Sequence, residues 1–371
     1  MRSNPQYVAI KILGSTASTA CRELAINRTI AGNKAASGHI VRLLDDFRHH
    51  GPNGEHLCLV FEPMGPDVAT CSAHSMPYWQ RRSISKSLLM ALQCLHDLKF
   101  AHADTNPGNA LLSITHPIEE PLEEGRFVST GLQSKRNPCV PNFIYEDWPL
   151  VELWDQFAPA QVKLSDLGAA FPFNERPEAP CIPVALRAPE VVLQSSFGHQ
   201  VDIWSFACYL FELFTGRPLF SIPGFYLTQN DDSILHATSH DCSLQNDDDL
   251  SLRMIDNKAQ LEMKDDDHLL QMISTLGPLP PAMFEKWPRR MRYFDASMNI
   301  IRSDVAKSDE APGAIHVGDT LERRLQDNRP PDMTAEDSVD LLSALRSALQ
   351  YDPVDRTSAG QLLRLKWFQN A

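Results

Sequence analysis

The chain has 371 residues, 43% of them hydrophobic, with a formal net charge of −13. Such a length and apolar content suit a soluble globular protein with a large core, ordinarily split into two lobes or domains. The acidity argues against a nucleic-acid surface as the main activity and suits a basic partner or simply solubility. Membrane spanning is not expected either, because no apolar run reaches the roughly 18 residues required.

The opening Met1-Arg2-Ser3-Asn4-Pro5 leads into a run too short and too β-like for a signal peptide, so a cytoplasmic or nuclear setting is expected. Tyr7 to Leu13 (YVAIKIL) predicts a strand carrying one charge, Lys11. A lone lysine in such a strand is ordinarily an edge or snorkelling residue. Here it is followed by a predicted helix, Ala20 to Ile30, whose Glu23 is near enough in sequence for an ion pair between strand and helix. Ile40 to Phe47 and Leu57 to Glu62 predict two more strands around Pro52-Asn53-Gly54, strong turn chemistry, so an antiparallel sheet packed on one helix is expected. Glu62-Pro63-Met64-Gly65 would then leave this small lobe. Beyond it, apolar residues at Leu88, Leu89, Leu92, Leu95 and Leu98 predict a helix over Ser83 to Leu98.

The chemistry sits in His102-Ala103-Asp104-Thr105-Asn106-Pro107-Gly108-Asn109 and the later Lys163-Leu164-Ser165-Asp166-Leu167-Gly168. An Asp, an Asn five positions on and a second Asp just before a Gly are the equipment needed to orient a hydroxyl and hold Mg²⁺ on ATP phosphates. Phosphoryl transfer passes through a loose transition state, so the protein's task is positioning and charge neutralisation. In that scheme Asp104 orients the attacking hydroxyl, Asn109 and Asp166 hold the metal, and Lys11 draws the α and β phosphates into place. Taken singly these are weak signals, since Asp-Leu-Gly is often only a turn. Their shared order, with the strand lysine upstream, joins them.

These residues resemble the eukaryotic protein kinase family. Ala188-Pro189-Glu190 is similar to its A-P-E, Val201-Asp202-Ile203-Trp204 to the helix that follows, and Arg356 to the late arginine that pairs with the A-P-E Glu. Leu43-Leu44-Asp45-Asp46-Phe47, the run Gly51 to Glu62, and Arg187 just before A-P-E resemble the SR-protein kinases of the CMGC group. The resemblance runs from about Tyr7 to Phe368. It implies an α+β, two-lobed kinase-like fold. Residues 1–64 would form a small antiparallel-sheet N-lobe lacking its first strands and Gly-rich loop; residues 65–371 would form a large helical C-lobe with inserts at about 115–160 and 221–265. It implies ATP and Mg²⁺ as cofactors and a monomer that phosphorylates Ser or Thr of a basic, Arg-Ser-rich protein. It also implies catalytic roles for Asp104, Lys11 and Asn109, nucleotide binding by Lys11, Glu23, Glu62, Met64 and Asp166, and a structural role for Arg187, Glu190, Asp202 and Arg356.

The chain departs from the family pattern in four places. No G-x-G-x-x-G is present, and only ten residues precede Lys11, so an N-terminally shortened product or a nucleotide held without its usual lid is expected. The catalytic-loop Lys is Asn106, which removes a cation near the transferring phosphate. The Arg before Asp104 is Ala103, and Ala169 to Arg187 holds no Ser, Thr or Tyr, so no activation-segment phosphate and no receptor for one are expected. Asp166 is followed by Leu167 rather than Phe. Two other functions stay open: a pseudokinase acting as a binding scaffold, and a small-molecule phosphotransferase.

Thr115 to Ala160, with Phe143, Tyr145, Trp148 and Trp154, reads as a surface excursion rather than a binding motif. Asn230 to Asp267 carries Asp231, Asp232, Asp247, Asp248, Asp249 and Asp265 to Asp267. Such a run is either a solvated face or disorder, or an acidic groove docking an Arg-rich substrate. The eight cysteines form no C-x-x-C pair and read as reduced core thiols. Thr334-Ala335-Glu336-Asp337 predicts a helix start, with Leu341, Leu342, Leu345 and Leu349 as its buried stripe.

Overall fold

The computed structural model describes residues 7–19, 21–33, 36–51, 54–72, 76–115, 127–129, 143–145, 150, 154, 161–222, 247–301 and 319–369. Two compact units make up the chain, Met1–Glu178 with Ala359–Ala371, and Ala179–Ser358.

The first unit opens with β1 (Ala9–Ile12), the short α1 (Ser15–Ser18) and α2 (Arg22–Ala31). Helix α2 has Glu23 in its first turn and Arg28 in its last, charges that oppose the helix dipole at each end. β2 (Leu43–Gly51) and β3 (Gly54–Phe61) form a hairpin with Gly51 opposite Gly54, and β1 joins antiparallel to give the order β1-β3-β2. Central β3 buries Leu57 to Val60 as a continuous run, so both faces of the sheet are covered there. Short α3 (Val68–Ser72) precedes α4 (Tyr78–Asp97), which starts five residues earlier than the leucine spacing predicts. Leu88, Leu89, Leu92 and Leu95 of α4 are fully buried, while Leu98 lies at its C-cap and is half-buried. Arg82 of α4 donates to Trp367 O at 2.6 and 2.9 Å and lies 4.6 Å from that indole ring, pinning α12 (Lys366–Gln369).

Short strands then position the loops that matter. β4 (Phe100–Ala101) pairs with β9 (Phe171–Pro172), and β5 (Ala110–Leu112) with β8 (Val162–Leu164), both antiparallel. Between β5 and β8, the insert contributes the hairpin β6 (Phe127–Ser129) and β7 (Phe143–Tyr145) and a buried Trp154; Trp148 lies outside the described residues. α11 (Ala359–Leu362) completes the unit.

The second unit is helical: α5 (Pro189–Val192), α6 (Gln200–Thr215), α7 (Asp247–Leu276), α8 (Pro281–Lys286), α9 (Leu321–Asn328) and α10 (Ala335–Ala348). α6 is buried on almost every side and stops at Gly216, whose φ of 67° lets its N–H reach Glu212 O at 2.8 Å. α10 starts where the sequence predicts, with Thr334 Oγ1 accepting the Asp337 N–H at 3.0 Å. Its Leu341, Leu345 and Leu349 are buried, and Leu342 is half-buried. Cys58, Cys71 and Cys208 are buried free thiols, Cys21 and Cys94 are half-buried, and Cys181 is exposed; Cys139 and Cys242 lie outside the described residues. No helix among the described residues is long and apolar enough to cross a membrane.

The acidic run needs correcting at its C-terminal end. Asp266 is buried and accepts from Trp287 Nε1 at 2.6 Å, Arg289 Nε at 2.8 Å and Tyr293 Oη at 3.2 Å. Asp267 is also buried, with Oδ2 bonded to Gln271 at 3.2 Å. The Asp266 carboxylate ties α7 to the segment from Trp287 to Tyr293, the Asp267 bond stays within α7, and neither group is a solvated face or an open dock. Asp247 to Asp249 lie on the α7 backbone, and Asp231 and Asp232 lie outside the described residues.

Candidate active site

Strand β1 turns Lys11 into the first unit, where Nζ donates to Glu23 Oε1 and Oε2 at 2.9 and 3.0 Å and to Asp166 Oδ1 at 2.7 Å. Burial works against the charge on Lys11, but the bonds to Asp166 and Glu23 outweigh it and raise the ammonium pKa. Glu23, from the first turn of α2, is only 5% exposed, and that burial pushes its carboxyl up despite the lysine. Asp166 is nearly half exposed; burial opposes its ionisation, yet the Lys11 bond and charge win and hold the carboxyl below its ordinary range.

Asp166 has a φ of 56°, in the left-handed region, and its Oδ1 also accepts the Gly168 N–H at 3.1 Å. A side chain at 168 would place its Cβ 3.0 Å from Asp166 Oδ1 and 3.5 Å from Glu23 Oε2, so glycine is what this turn admits.

The loop from His102 to Asn109 is tied to the same turn. His102 is fully buried; its Nδ1 accepts the Asp104 N–H at 3.2 Å, which leaves Nε2 to donate to Ser165 O at 2.9 Å. The β5–β8 pairing continues into Ser165, whose N–H and Oγ both donate to Asn109 O, at 2.8 and 2.9 Å. Asn109 and the residue before Asp166 are therefore neighbours. Asp104 Oδ1 accepts from Asn106 Nδ2 at 2.8 Å and Oδ2 from Asn109 Nδ2 at 2.9 Å. Burial raises the Asp104 carboxyl in spite of those two bonds, with the Asp166 charge adding to the rise.

A cavity of about 360 Å³ opens in this unit. Its lining is largely apolar, with Ile10, Val41, Phe61, Met64, Leu111 and Leu164, and also carries Lys11, Glu23 and Asp166. Glu62 also lines it, but its Oε1 is engaged by Arg42 N at 2.9 Å and Lys163 Nζ at 2.7 Å. Sequence reasoning missed Asn27 and Leu150 on this wall, and the pairing of Lys163 with Glu62 beside it. Lys163 precedes the metal-site motif by three residues and could have been flagged as a charge in an apolar strand; Leu150, inside the insert, carried no signal.

The donor set suits a hard cation completed by substrate oxygens. Asn109 commits Nδ2 to Asp104 O and Oδ2, leaving its side-chain carbonyl, and Asp166 offers a carboxylate. Among the described residues no group of three or more His, Cys, Asp or Glu forms a cage. Mg²⁺ is ordinarily held in this sparse way, by one or two protein oxygens plus phosphates and water.

In the second unit Arg356 forks onto Glu190, with Nη1 to Oε1 at 2.9 Å and Nη2 to Oε2 at 3.1 Å, and also donates to Gln200 O at 2.9 Å. Asp202 is buried in the first turn of α6. Arg187 is half-buried and donates Nε to Ile182 O at 2.9 Å, while Ser205 Oγ donates to Leu186 O at 3.0 Å. Ile182, Val184, Leu186 and Ala188 are buried in alternation, so apolar side chains seat this segment.

The family model described as protein kinase domain matches residues 1–368. The serine/threonine-protein kinase SRPK of Physarum polycephalum is 26% identical over 96% of this chain and 78% of its own length. Serine/threonine-protein kinase AFC3 of Arabidopsis thaliana is 26% identical over 100% of this chain and 77% of its own. Dual specificity protein kinase CLK2 of Homo sapiens is 24% identical over 88% of this chain and 51% of its own. A crystallised kinase domain, 20% identical, aligns at a TM-score of 0.62 over 99% of this chain and 89% of its own, a likeness of fold.

Proposed function

The chain belongs to the protein kinase family, and from that premise we propose that it transfers the γ-phosphate of ATP to a serine or threonine of a protein. The observation that carries this is the meeting of Lys11 and Asp166, 155 positions apart, on the wall of a largely apolar cavity. Asp104 is close enough to Asp166 for the two carboxylates to feel each other's charge.

The apolar wall would receive a flat base. Phosphate oxygens would compete with Asp166 for the Lys11 ammonium. The Lys11–Glu23 pair survives that exchange, because Glu23 is almost fully buried and has no water to turn to. Asp166, released, and the Asn109 carbonyl would hold Mg²⁺, which neutralises charge on the transferred phosphoryl. Asp104 would accept a hydrogen bond from the substrate hydroxyl and align it for in-line attack.

A basic, Arg-Ser-rich substrate is supported by the net charge of −13 and by similarity to a kinase named SRPK. Asp266 and Asp267 are not available for docking it. The buried free thiols suit a reducing compartment, cytoplasm or nucleus.

The test is transfer from γ-labelled ATP to an Arg-Ser peptide. D104A should lower kcat by about 10²- to 10⁴-fold with little change in ATP affinity, and D166A serves as the inactive control. Wild-type transfer no greater than that of D166A would overturn phosphotransfer, and retained nucleotide binding in that event would leave a binding scaffold.

A further inference from the structure

We propose that Asn106 is a positioning residue, a neutral clamp that orients Asp104 and at the same time caps the turn presenting Asn109. This rests on the phosphotransfer function above and assigns a regulator of geometry within that site. A side-chain amide has two donor protons and an oxygen with two lone pairs. Asn106 uses all four. Its Nδ2 donates to Asp104 Oδ1 at 2.8 Å and to Asp104 O at 3.1 Å, and its Oδ1 accepts from Gly108 N at 2.9 Å and Asn109 N at 3.2 Å.

Each bond has a consequence for the reacting groups. Asp104 has one carboxylate oxygen on Asn106 and the other on Asn109, so its plane is fixed from both sides. The acceptor half of Asn106 satisfies the first N–H groups of the Pro107–Asn109 turn, from which Asn109 projects. Gly108 completes the fit, since a Cβ there would lie 3.2 Å from Asn106 Oδ1.

Neither lysine, aspartate nor serine serves both sides. Lysine, the family's residue at this place, has donors and no acceptor, so it could reach Asp104 but could not cap the turn. Aspartate would cap the turn but set a second carboxylate against Asp104. Serine caps well and is too short to hold Asp104. From His102 to Asn109 the loop carries no Lys or Arg, so amides alone hold the Asp104 carboxylate from within it.

N106S separates the two jobs, because it keeps the cap and loses the clamp. Measured on the full chain, it should melt within a few degrees of wild type, bind ADP normally and keep KM for ATP within about threefold, while kcat falls about 10- to 100-fold as Asp104 loses its orientation. N106D, which also retains the cap but sets a second carboxylate against Asp104, should lower kcat further. Wild-type kcat in N106S would overturn the clamp while leaving phosphotransfer intact. A wild-type chain that transfers no phosphate would remove both.

Discussion

Replacing Arg356 by Met removes a guanidinium whose side chain is 0% exposed and strands a Glu190 carboxylate that is 2% exposed. The methionine keeps much of the volume packed against Trp204, whose ring lies 5.2 Å from the guanidinium carbon. What is lost is the fork of two bonds at 2.9 and 3.1 Å, together with donation to the carbonyls of Gln200 and Gln350 at 2.9 and 3.2 Å, leaving a charge with no water to solvate it. Breaking a buried pair in this way costs about 3 to 5 kcal/mol. For a cooperative unit of this size, about 2 to 4 °C of Tm accompanies each kcal/mol, so R356M should lower the melting temperature by roughly 6 to 20 °C. Thermal unfolding followed by circular dichroism measures it. Adding E190Q to R356M removes the orphaned charge and should recover part of the loss, since buried ion pairs exceed neutral replacements by little. A drop under about 2 °C for R356M, or a double variant as unstable as the sum of the singles, would refute this account.

Two further outcomes follow from the second unit. Asp267 is buried, its Oδ1 has no hydrogen-bond partner among the described residues, and burial raises its pKa to about 6 despite the Gln271 bond. Folding therefore takes up a proton between the unfolded value near 3.9 and the folded one, so this group's contribution to stability falls as pH rises through that window and is lowest above it. D267N should raise Tm most above about pH 6 and least near pH 4; an equal shift in melts at both ends would contradict this. Separately, the segment Ala169 to Arg187 has no Ser, Thr or Tyr and is seated by buried Ile182, Val184 and Leu186. Phosphatase treatment should leave peptide phosphorylation unchanged, whereas V184D should weaken it; activity lost to phosphatase through this segment would reject the apolar seating as sufficient.

Local signals carried far in this chain because they depend on neighbours in sequence. The Thr334 cap, the leucine stripe of α4 and the β2–β3 hairpin were all legible, although Pro52 and Asn53 lie outside the described residues; α4 starts earlier than its leucines suggest because Tyr78 packs at a ring-centroid distance of 5.9 Å on Trp367. The Asp104, Asn109 and Asp166 set was legible as a pattern of residue types. Asn106 was legible only as a missing cation; its four hydrogen bonds depend on the backbone turn that folds it back onto Asp104. The acidic run misled, because charge count says nothing about what closes over it: Trp287, Arg289 and Tyr293 satisfy Asp266 from 21 to 27 positions away.

The amino-acid order by itself determined which residues could donate, accept, cap or turn, and therefore the helices, the hairpin and the family to which the motif points. Only the tertiary structure decided which charges meet and which are buried. Lys11 reaches Asp166 across 155 positions, Lys163 reaches Glu62 across 101, and Arg356 reaches Glu190 across 166. Hydrogen-bonding capacity is a property of each side chain, but the desolvation that gives an ion pair its strength, or a carboxylate its raised pKa, belongs to whatever the rest of the chain packs around it.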